Sequence, residues 1–162
     1  MRKLYVIFLA AIVVACGSDD GGTDPFSDVP SGEIVSVDER DFVLTGEDAS
    51  GRIAQTYKWW KQDVSKIDFS SEECGDDEDL SQTDVYYAFT SSGDIRVRQG
   101  TSGDGYVART WAWSSSSKDA INIDGETSVD FELRALNNSE LIYASYQSGQ
   151  GCSLVTWERF VQ

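Results

Sequence analysis

Residues 84–100 read DVYYAFTSSGDIRVRQG, and they set a pattern that the rest of the chain repeats. Apolar side chains stand at every second position in both halves of this stretch, which is typical of strands with one buried face. These side chains are Val85, Tyr87 and Phe89 in the first half and Ile95 and Val97 in the second. The link between the halves, Ser91-Ser92-Gly93, is short, so we expect an antiparallel hairpin.

The same pattern continues on both sides of this hairpin. From residue 53 onward, short runs rich in Val, Ile, Thr and aromatic residues alternate with clusters of Gly, Ser, Asn and Asp, which indicates an all-β protein. The predicted strands are 53–65, 84–90, 94–99, 106–114, 119–124, 127–136, 139–147 and 152–161. Short links favour an eight-stranded antiparallel up-and-down meander. Such a meander removes its edges by closing into a barrel, whose interior is either filled or holds one small ligand.

The N-terminus predicts a lipoprotein signal peptide at residues 1–15. Arg2 and Lys3 precede an apolar run that is too short to span a bilayer, and the run ends in the lipobox Val13-Val14-Ala15-Cys16. We therefore expect cleavage before Cys16, lipidation of Cys16 with chains such as palmitate, and attachment to the membrane through that lipid. An ordinary signal peptide with a coincidental cysteine is the alternative.

Residues 16–32 are rich in Gly, Ser, Pro and Asp, so they predict a flexible acidic tether. The tether would lead into a barrel domain at residues 33–162. Ser18-Asp19-Asp20 resembles the surface-export signal of Bacteroidota lipoproteins. We expect an outer-membrane lipoprotein displayed on the cell surface, or otherwise held on the periplasmic face.

Charge and composition exclude several classes of function. The formal net charge is −15, which disfavours binding to nucleic acid or to anionic lipid head groups. The chain contains no histidine, so Ser-His-Asp catalysis, Cys-His catalysis and His-ligated zinc are excluded. We predict no catalytic residues and no cofactor, and we favour a binding protein over an enzyme.

Cys74 and Cys152 remain as a pair once Cys16 is assigned to lipid. Export to an oxidising compartment favours a disulfide between them, while two free thiols are the alternative. In a closed meander the last strand pairs with the first, which would bring Cys152, at the start of strand eight, beside the link that contains Cys74.

Four segments carry a resemblance to a known family. They are Tyr57-Lys58-Trp59-Trp60-Lys61, the segment EECGDDEDL at 72–80 leading into 86–93, the strand Trp111-Ala112-Trp113, and FELRALNNSELIYASY at 131–146. In order and spacing they resemble the lipocalin-like domain lipoproteins of Bacteroidota, which are calycin-type barrels, over residues 40–162. The resemblance implies the fold far more than any activity.

The resemblance also implies the packing of the closed end of the barrel. In lipocalins a Gly-x-Trp motif opens the first strand, and an arginine of the last strand packs over that tryptophan. Here Tyr57 replaces the glycine, so either Trp59 or Trp60 could point inward, and Arg159 is the candidate arginine.

Trp111, Trp113 and Arg109 are the candidate ligand-binding residues. Alternation places them on one face with Val107, where the guanidinium could stack on an indole or meet an anionic ligand group. The alternative is an ordinary aromatic core with Arg109 near a rim.

Two acidic features of the sequence are candidates for chemical sites. Residues 76–79, with Glu72 and Glu73 upstream, form a dense run of carboxylates but lack the spaced pattern of a calcium loop. We predict a solvated loop without metal, with calcium as the alternative. Glu158, in an otherwise apolar strand, is the first acid to examine for acid–base chemistry, although without a second partner it is an ordinary barrel position.

These observations predict an envelope lipoprotein whose barrel binds or carries a small hydrophobic or amphipathic ligand. The first alternative is a non-enzymatic interaction module with a filled barrel that contacts another envelope protein. The weakest alternative is a carboxylate-based hydrolase. Residues 33–46 could add either a strand or a short cap over one mouth.

Overall fold

The computed structural model describes residues 24–47, 57–124 and 129–162. Over these ranges the chain forms a closed barrel of eight antiparallel strands with one further short strand. A 3₁₀ turn, Val37–Glu39, and a helix, α1 (Arg40–Thr45), precede the strands. The strands are β1 (Trp60–Phe69), β2 (Glu78–Asp79), β3 (Val85–Phe89), β4 (Asp94–Gln99), β5 (Tyr106–Trp113), β6 (Ala120–Ile123), β7 (Asp130–Leu136), β8 (Glu140–Gly149) and β9 (Cys152–Val161). In these ranges we find no helix with the length and hydrophobicity to cross a membrane.

The barrel closes where β1 pairs with β9. The two strands are antiparallel and pair from Lys61↔Val161 to Phe69↔Leu154. Each remaining barrel strand pairs with its neighbour in the sequence. The predicted all-β, eight-stranded, antiparallel up-and-down barrel is therefore confirmed.

The first strand lies later in the chain than predicted. The prediction was 53–65, of which 53–56 lie outside the described residues, and the observed strand is Trp60–Phe69. It extends to Phe69 because Ile67 and Phe69 find partners in β9. The short strand β2 was not predicted, and it pairs with Lys66 and Ile67 on β1.

Aromatic and aliphatic side chains fill one half of the barrel, which we call the closed end. This half contains the start of β1, the end of β9 and the turn between β3 and β4. Trp60 and Phe160 are fully buried there, and Tyr87 packs edge-on against Phe160 with ring centroids 5.2 Å apart. Further buried residues of this core are Phe89, Ile95, Trp111, Ile121, Leu133, Leu136, Leu141 and Tyr143.

Residues 33–46 cap the closed end and form no full strand, although Ile34 makes a single parallel bridge with Leu136 at the end of β7. Val43 and Leu44 of α1 are buried in the barrel core. Trp60 donates its indole N–H to the Leu44 carbonyl at 2.9 Å, and Lys58 donates to the Val43 carbonyl at 2.6 Å. Gly46 ends the helix with φ +75°, where a Cβ would lie 2.7 Å from the Lys58 Cβ.

The end of the predicted tether packs on the outside of the barrel. Phe26 and Val29 are buried against Ile142, Ala144 and Trp157, whose side chains point outward. Residues 24–32, which belong to the predicted tether, thus contribute an aromatic ring and a valine to the outer surface of the barrel. Residues 1–23, which include the signal peptide, Cys16 and the acidic Ser18-Asp19-Asp20, lie outside the described residues.

The predicted disulfide between Cys74 and Cys152 is confirmed, with the two Cα atoms 5.5 Å apart. Cys152 opens β9, and Cys74 follows β1. The pairing of these two strands continues up to the bridge, since Ser70 donates its backbone N–H to the Ser153 carbonyl at 2.9 Å. Barrel closure therefore places the two cysteines side by side.

Replacing both cysteines (Cys74→Ser with Cys152→Ser) should destabilise the domain by about 4 kcal/mol, because the bridge closes a long loop in the unfolded chain. Urea unfolding of the wild type with and without reductant, and of the double variant, measures this. The reduced wild type and the double variant should agree. Equal stability of all three samples would contradict the prediction.

Candidate functional site

The predicted ligand-binding wall is divided by a bulge in β5. Arg109 pairs with Ile95, but Val107 pairs with Arg96, so one extra residue, Ala108, is inserted between them. Because directly opposed residues share a face of the sheet, this insertion turns Val107 onto the outer face. The expectation that Val107 shares a face with Arg109 and the tryptophans is therefore wrong.

Trp111 and Trp113 lie together at the closed end, with ring centroids 5.3 Å apart in an edge-on arrangement. Trp111 is buried and donates its indole N–H to the Thr90 carbonyl at 3.1 Å. Trp113 lies at the rim and donates its indole N–H to Asp41 Oδ1 at 2.7 Å. The second tryptophan therefore connects the barrel wall to the capping helix.

A cavity of about 590 Å³, which we call the closed-end groove, lies between α1, the end of β5 and the β3–β4 turn. It is lined by Asp38, Asp41, Phe42, Thr45, Glu47, Ser91, Ser92, Gly93, Trp111, Ala112 and Trp113. The structure thus brings two of the three candidate ligand-binding residues to one cavity. Arg109 is not among its lining residues.

The local sequence explains how α1 forms one side of the groove. Val43 and Leu44 point into the barrel, while the side of the helix that bears Asp41 and Phe42 is left uncovered. Phe42 is 52% exposed and lines the groove. On the opposite side Gly93 has φ +86°, and a Cβ there would lie 3.1 Å from the Trp111 carbonyl oxygen.

Asp41 organises the charged side of the groove. It accepts hydrogen bonds from the Trp113 indole and from Lys118, whose Nζ lies 2.5 Å from Oδ2. Partial burial raises the pKa of Asp41, but these two hydrogen bonds and the charge of Lys118 outweigh that effect and hold the pKa below its usual range. Asp41 is therefore an anion at neutral pH.

A second polar feature, the Glu158 centre, lies inside the barrel. Glu158 on β9 accepts hydrogen bonds from Ser65 (3.1 Å) and Gln62 (3.4 Å) on β1, and from the Tyr143 hydroxyl on β8. Barrel closure supplies Ser65 and Gln62, because β1 is distant from β9 in the sequence, whereas Tyr143 lies on the neighbouring strand. A buried carboxylate needs such donors to offset its lost hydration.

Burial raises the pKa of Glu158, although the hydrogen bonds from Tyr143, Ser65 and Gln62 and the charge of Arg109 act in the opposite direction. Burial also raises the pKa of Tyr143 well above its usual range, and the neighbouring Glu158 adds to this. Both effects follow from placing ionisable groups in a medium of low polarity.

Arg109 lies toward the other end of the barrel, which we call the open end. It is mostly exposed, and its Nε lies 3.7 Å from Asp124 Oδ2. It contributes to a cavity of about 270 Å³ that we call the mouth cavity. The lining residues are Gln82, Val85, Tyr87, Ile95, Val97, Arg98, Gln99, Tyr106, Ala108 and Arg109.

The closed-end packing differs from the pattern that the resemblance implied. Trp60 points inward and Trp59 points outward, where Arg98 stacks over its ring at 4.1 Å. The cation over the Trp60 ring is Lys58, also at 4.1 Å. Arg159 instead pairs with Asp63 and Glu140.

Two of the acidic residues after β1 accept hydrogen bonds from nearby backbone N–H groups. Asp77 accepts a hydrogen bond from the Phe69 N–H at 2.7 Å, and Asp79 accepts one from the Ser81 N–H at 3.0 Å. Within the part of the chain that the structure describes, no group of three or more Cys, Asp or Glu side chains is arranged to hold a metal ion.

Sequence reasoning did not identify Asp38, Asp41, Phe42 and Glu47 as groove residues. A signal was present in Phe42-Val43-Leu44-Thr45-Gly46, where an apolar run followed by glycine is typical of a helix C-terminus. Comparison of the chain with models of protein families, with curated proteins and with solved structures gave no match.

The Glu158 centre predicts a pH dependence of stability. Because the folded pKa is raised, the contribution of Glu158 is fully present below about pH 4.5, the ordinary pKa of glutamate, and is lost as pH rises through the folded pKa. Glu158→Gln, which cannot ionise, should lack this decline, so its stability relative to wild type should improve from pH 4 toward pH 7.

Urea unfolding at several pH values measures this difference. Glu132→Gln, at an exposed position on β7, is the matched control and should follow the wild type at every pH. A constant difference between Glu158→Gln and wild type across the whole range would contradict the prediction.

Proposed function

We propose that this protein binds a small amphipathic ligand without catalysing a reaction, and that the ligand occupies the closed-end groove. The observation that carries the proposal is a cavity of about 590 Å³ with three aromatic side chains and several polar groups around it. This volume lies within the usual range for small-molecule sites, which are mostly apolar with a few placed polar groups.

The exposure of Phe42 supports the closed-end groove as the ligand site. Phe42 lies on α1 next to Val43 and Leu44, which are buried in the core, yet Phe42 itself is half exposed. Covering exposed aromatic surface is favourable by about 25 cal/mol per Å². A ligand that packed between Phe42 and Trp113 would gain this energy while its polar end met the carboxylates and serine hydroxyls of the rim.

The barrel interior is a less suitable site for the same ligand. The closed half is filled by Trp60, Phe89 and Phe160 together with the other core residues. The mouth cavity is about 270 Å³, which is less than half the volume of the groove. Binding deep inside the barrel would also have to disturb the hydrogen bonds of the Glu158 centre.

We further propose that the barrel is attached to the outer membrane by lipid on Cys16, on the cell surface or on the periplasmic face. The support for this is the lipobox at residues 13–16 and the basic and apolar segments before it. We also propose that the protein is related to the lipocalin-like domain lipoproteins. The closed meander barrel is consistent with this relationship.

The filled closed half favours a second candidate, a non-enzymatic module that contacts another envelope protein. In that case the groove would receive a side chain of the partner instead of a free ligand. The hydrolase alternative needs two carboxylates that share one substrate, whereas the partners of Glu158 are two hydroxyl groups and an amide.

Native mass spectrometry of the mature polypeptide tests the location of the ligand. Residues 17–162, exported behind a signal peptide that is cleaved without lipidation, should carry a small adduct that is lost on denaturation. Phe42→Ala should lower the occupancy of this adduct, because it removes one wall of the groove. Tyr106→Ala is the matched control, since Tyr106 is a similarly exposed aromatic residue at the open end.

Loss of the adduct in Tyr106→Ala but not in Phe42→Ala would move the ligand to the mouth cavity and contradict the proposal. A clean apo mass, repeated after incubation with an envelope lipid extract, would favour the interaction module.

Membrane attachment has a separate test. The wild-type protein should be recovered in the membrane fraction, and residues 17–162, exported behind a signal peptide that is cleaved without lipidation, should be recovered in the soluble fraction, because the lipid is the only proposed anchor of the mature protein. Recovery of both proteins in the membrane fraction would contradict lipid anchoring through Cys16.

A further inference from the structure

The ionisable side chains that line the closed-end groove are Asp38, Asp41 and Glu47, and all of them are acids. Lys118 compensates one of these charges through its contact with Asp41. The groove therefore keeps an excess of negative charge beside its aromatic walls. An anionic ligand would be repelled there, and a cationic ligand would be attracted.

Two of these carboxylates have oxygen atoms that can still interact with a ligand. Asp38 is exposed, and its carboxylate makes no hydrogen bond or ion pair within the described part of the chain. Glu47 accepts a backbone N–H from Ser91 at 3.3 Å, which occupies one of its oxygens. Neither carboxylate is paired with a cation in the described residues.

The aromatic walls suit a cation as well. Trp113 is held in place by its hydrogen bond to Asp41, and Phe42 exposes about half of its surface to the groove side of α1. The face of an aromatic ring carries negative potential and attracts an organic cation placed over it. Carboxylates next to aromatic faces therefore recognise positive charge and apolar surface on the same molecule.

The mouth cavity of the same barrel has the opposite character. Its charged lining residues are Arg98 and Arg109, and no acid lines it. The negative charge of the groove is thus a local feature and does not simply follow from the acidic composition of the chain.

We propose that the ligand of the closed-end groove is an organic monocation, a quaternary or primary ammonium compound with a short apolar body. This inference rests on the proposed function, because it names the ligand class of the same groove.

Isothermal titration calorimetry of residues 17–162, exported without lipid, tests the inference with two probes. Choline carries the charge, and 3,3-dimethylbutan-1-ol has the same shape without it. Choline should bind at least about tenfold more tightly than the alcohol, as expected for a cation over aromatic faces beside carboxylates.

Asp38→Asn separates charge recognition from folding. Asp38 has no described partner, so its replacement should weaken choline binding several-fold and change the affinity for the alcohol by much less. Asp76→Asn is the matched control, because Asp76 is an exposed acid in the loop after β1 and does not line the groove. This control should bind both probes like the wild type.

Equal affinities for the two probes, both weakened by Phe42→Ala, would overturn the choice of a cation and leave the groove as the ligand site. Choline binding that neither Asp38→Asn nor Phe42→Ala reduces would place the cation elsewhere and also overturn the inference. Failure of both probes to bind would overturn it too, and the comparison of adducts in Phe42→Ala and Tyr106→Ala would then decide the proposed function independently.

Discussion

Closure of the barrel by the β1–β9 pair is the constraint on which the other features depend. The two strands pair along almost their full length, with one irregularity between Gln62 and Val64. Closure removes the exposed strand edges of an eight-stranded meander and encloses Trp60 and Phe160. It also places the disulfide next to the last pair of the ladder and supplies the β1 partners that Glu158 requires.

The closed-end groove results from the way in which α1 caps the closed end of the barrel. The ends of an eight-stranded barrel leave apolar side chains uncovered, and α1 covers them with Val43 and Leu44. A six-residue helix cannot bury all of its surface against the barrel, so Phe42 and Asp41 stand beside Trp113 with a space between them. The groove is therefore a product of capping, and it lies between the cap and the wall, outside the filled interior.

Local pattern predicted β3 to β9 within a few residues, because period-two alternation and short Gly and Asn turns are properties of neighbouring residues, but it placed β1 too early and missed β2. Barrel closure and the disulfide then followed from the meander topology. The bulge at Ala108 could not be predicted, since it depends on how β5 fits against β4. The burial of Phe26 and the partners of Glu158 were also missed, because they come from contacts between segments that are distant in sequence.

The central claim is that ligand binds at the closed-end groove and not inside the barrel. The five tryptophan indole groups are direct reporters of this, and their N–H signals can be followed by NMR during titration with choline. The account predicts that the signals of Trp113, whose N–H is bonded to Asp41, and of Trp111 both shift. The signals of Trp59 and Trp157, which lie on the outer wall, should stay constant. Constant Trp111 and Trp113 signals, together with shifts of the ring signals of Tyr143 or Tyr87 in the barrel interior, would contradict binding at the groove.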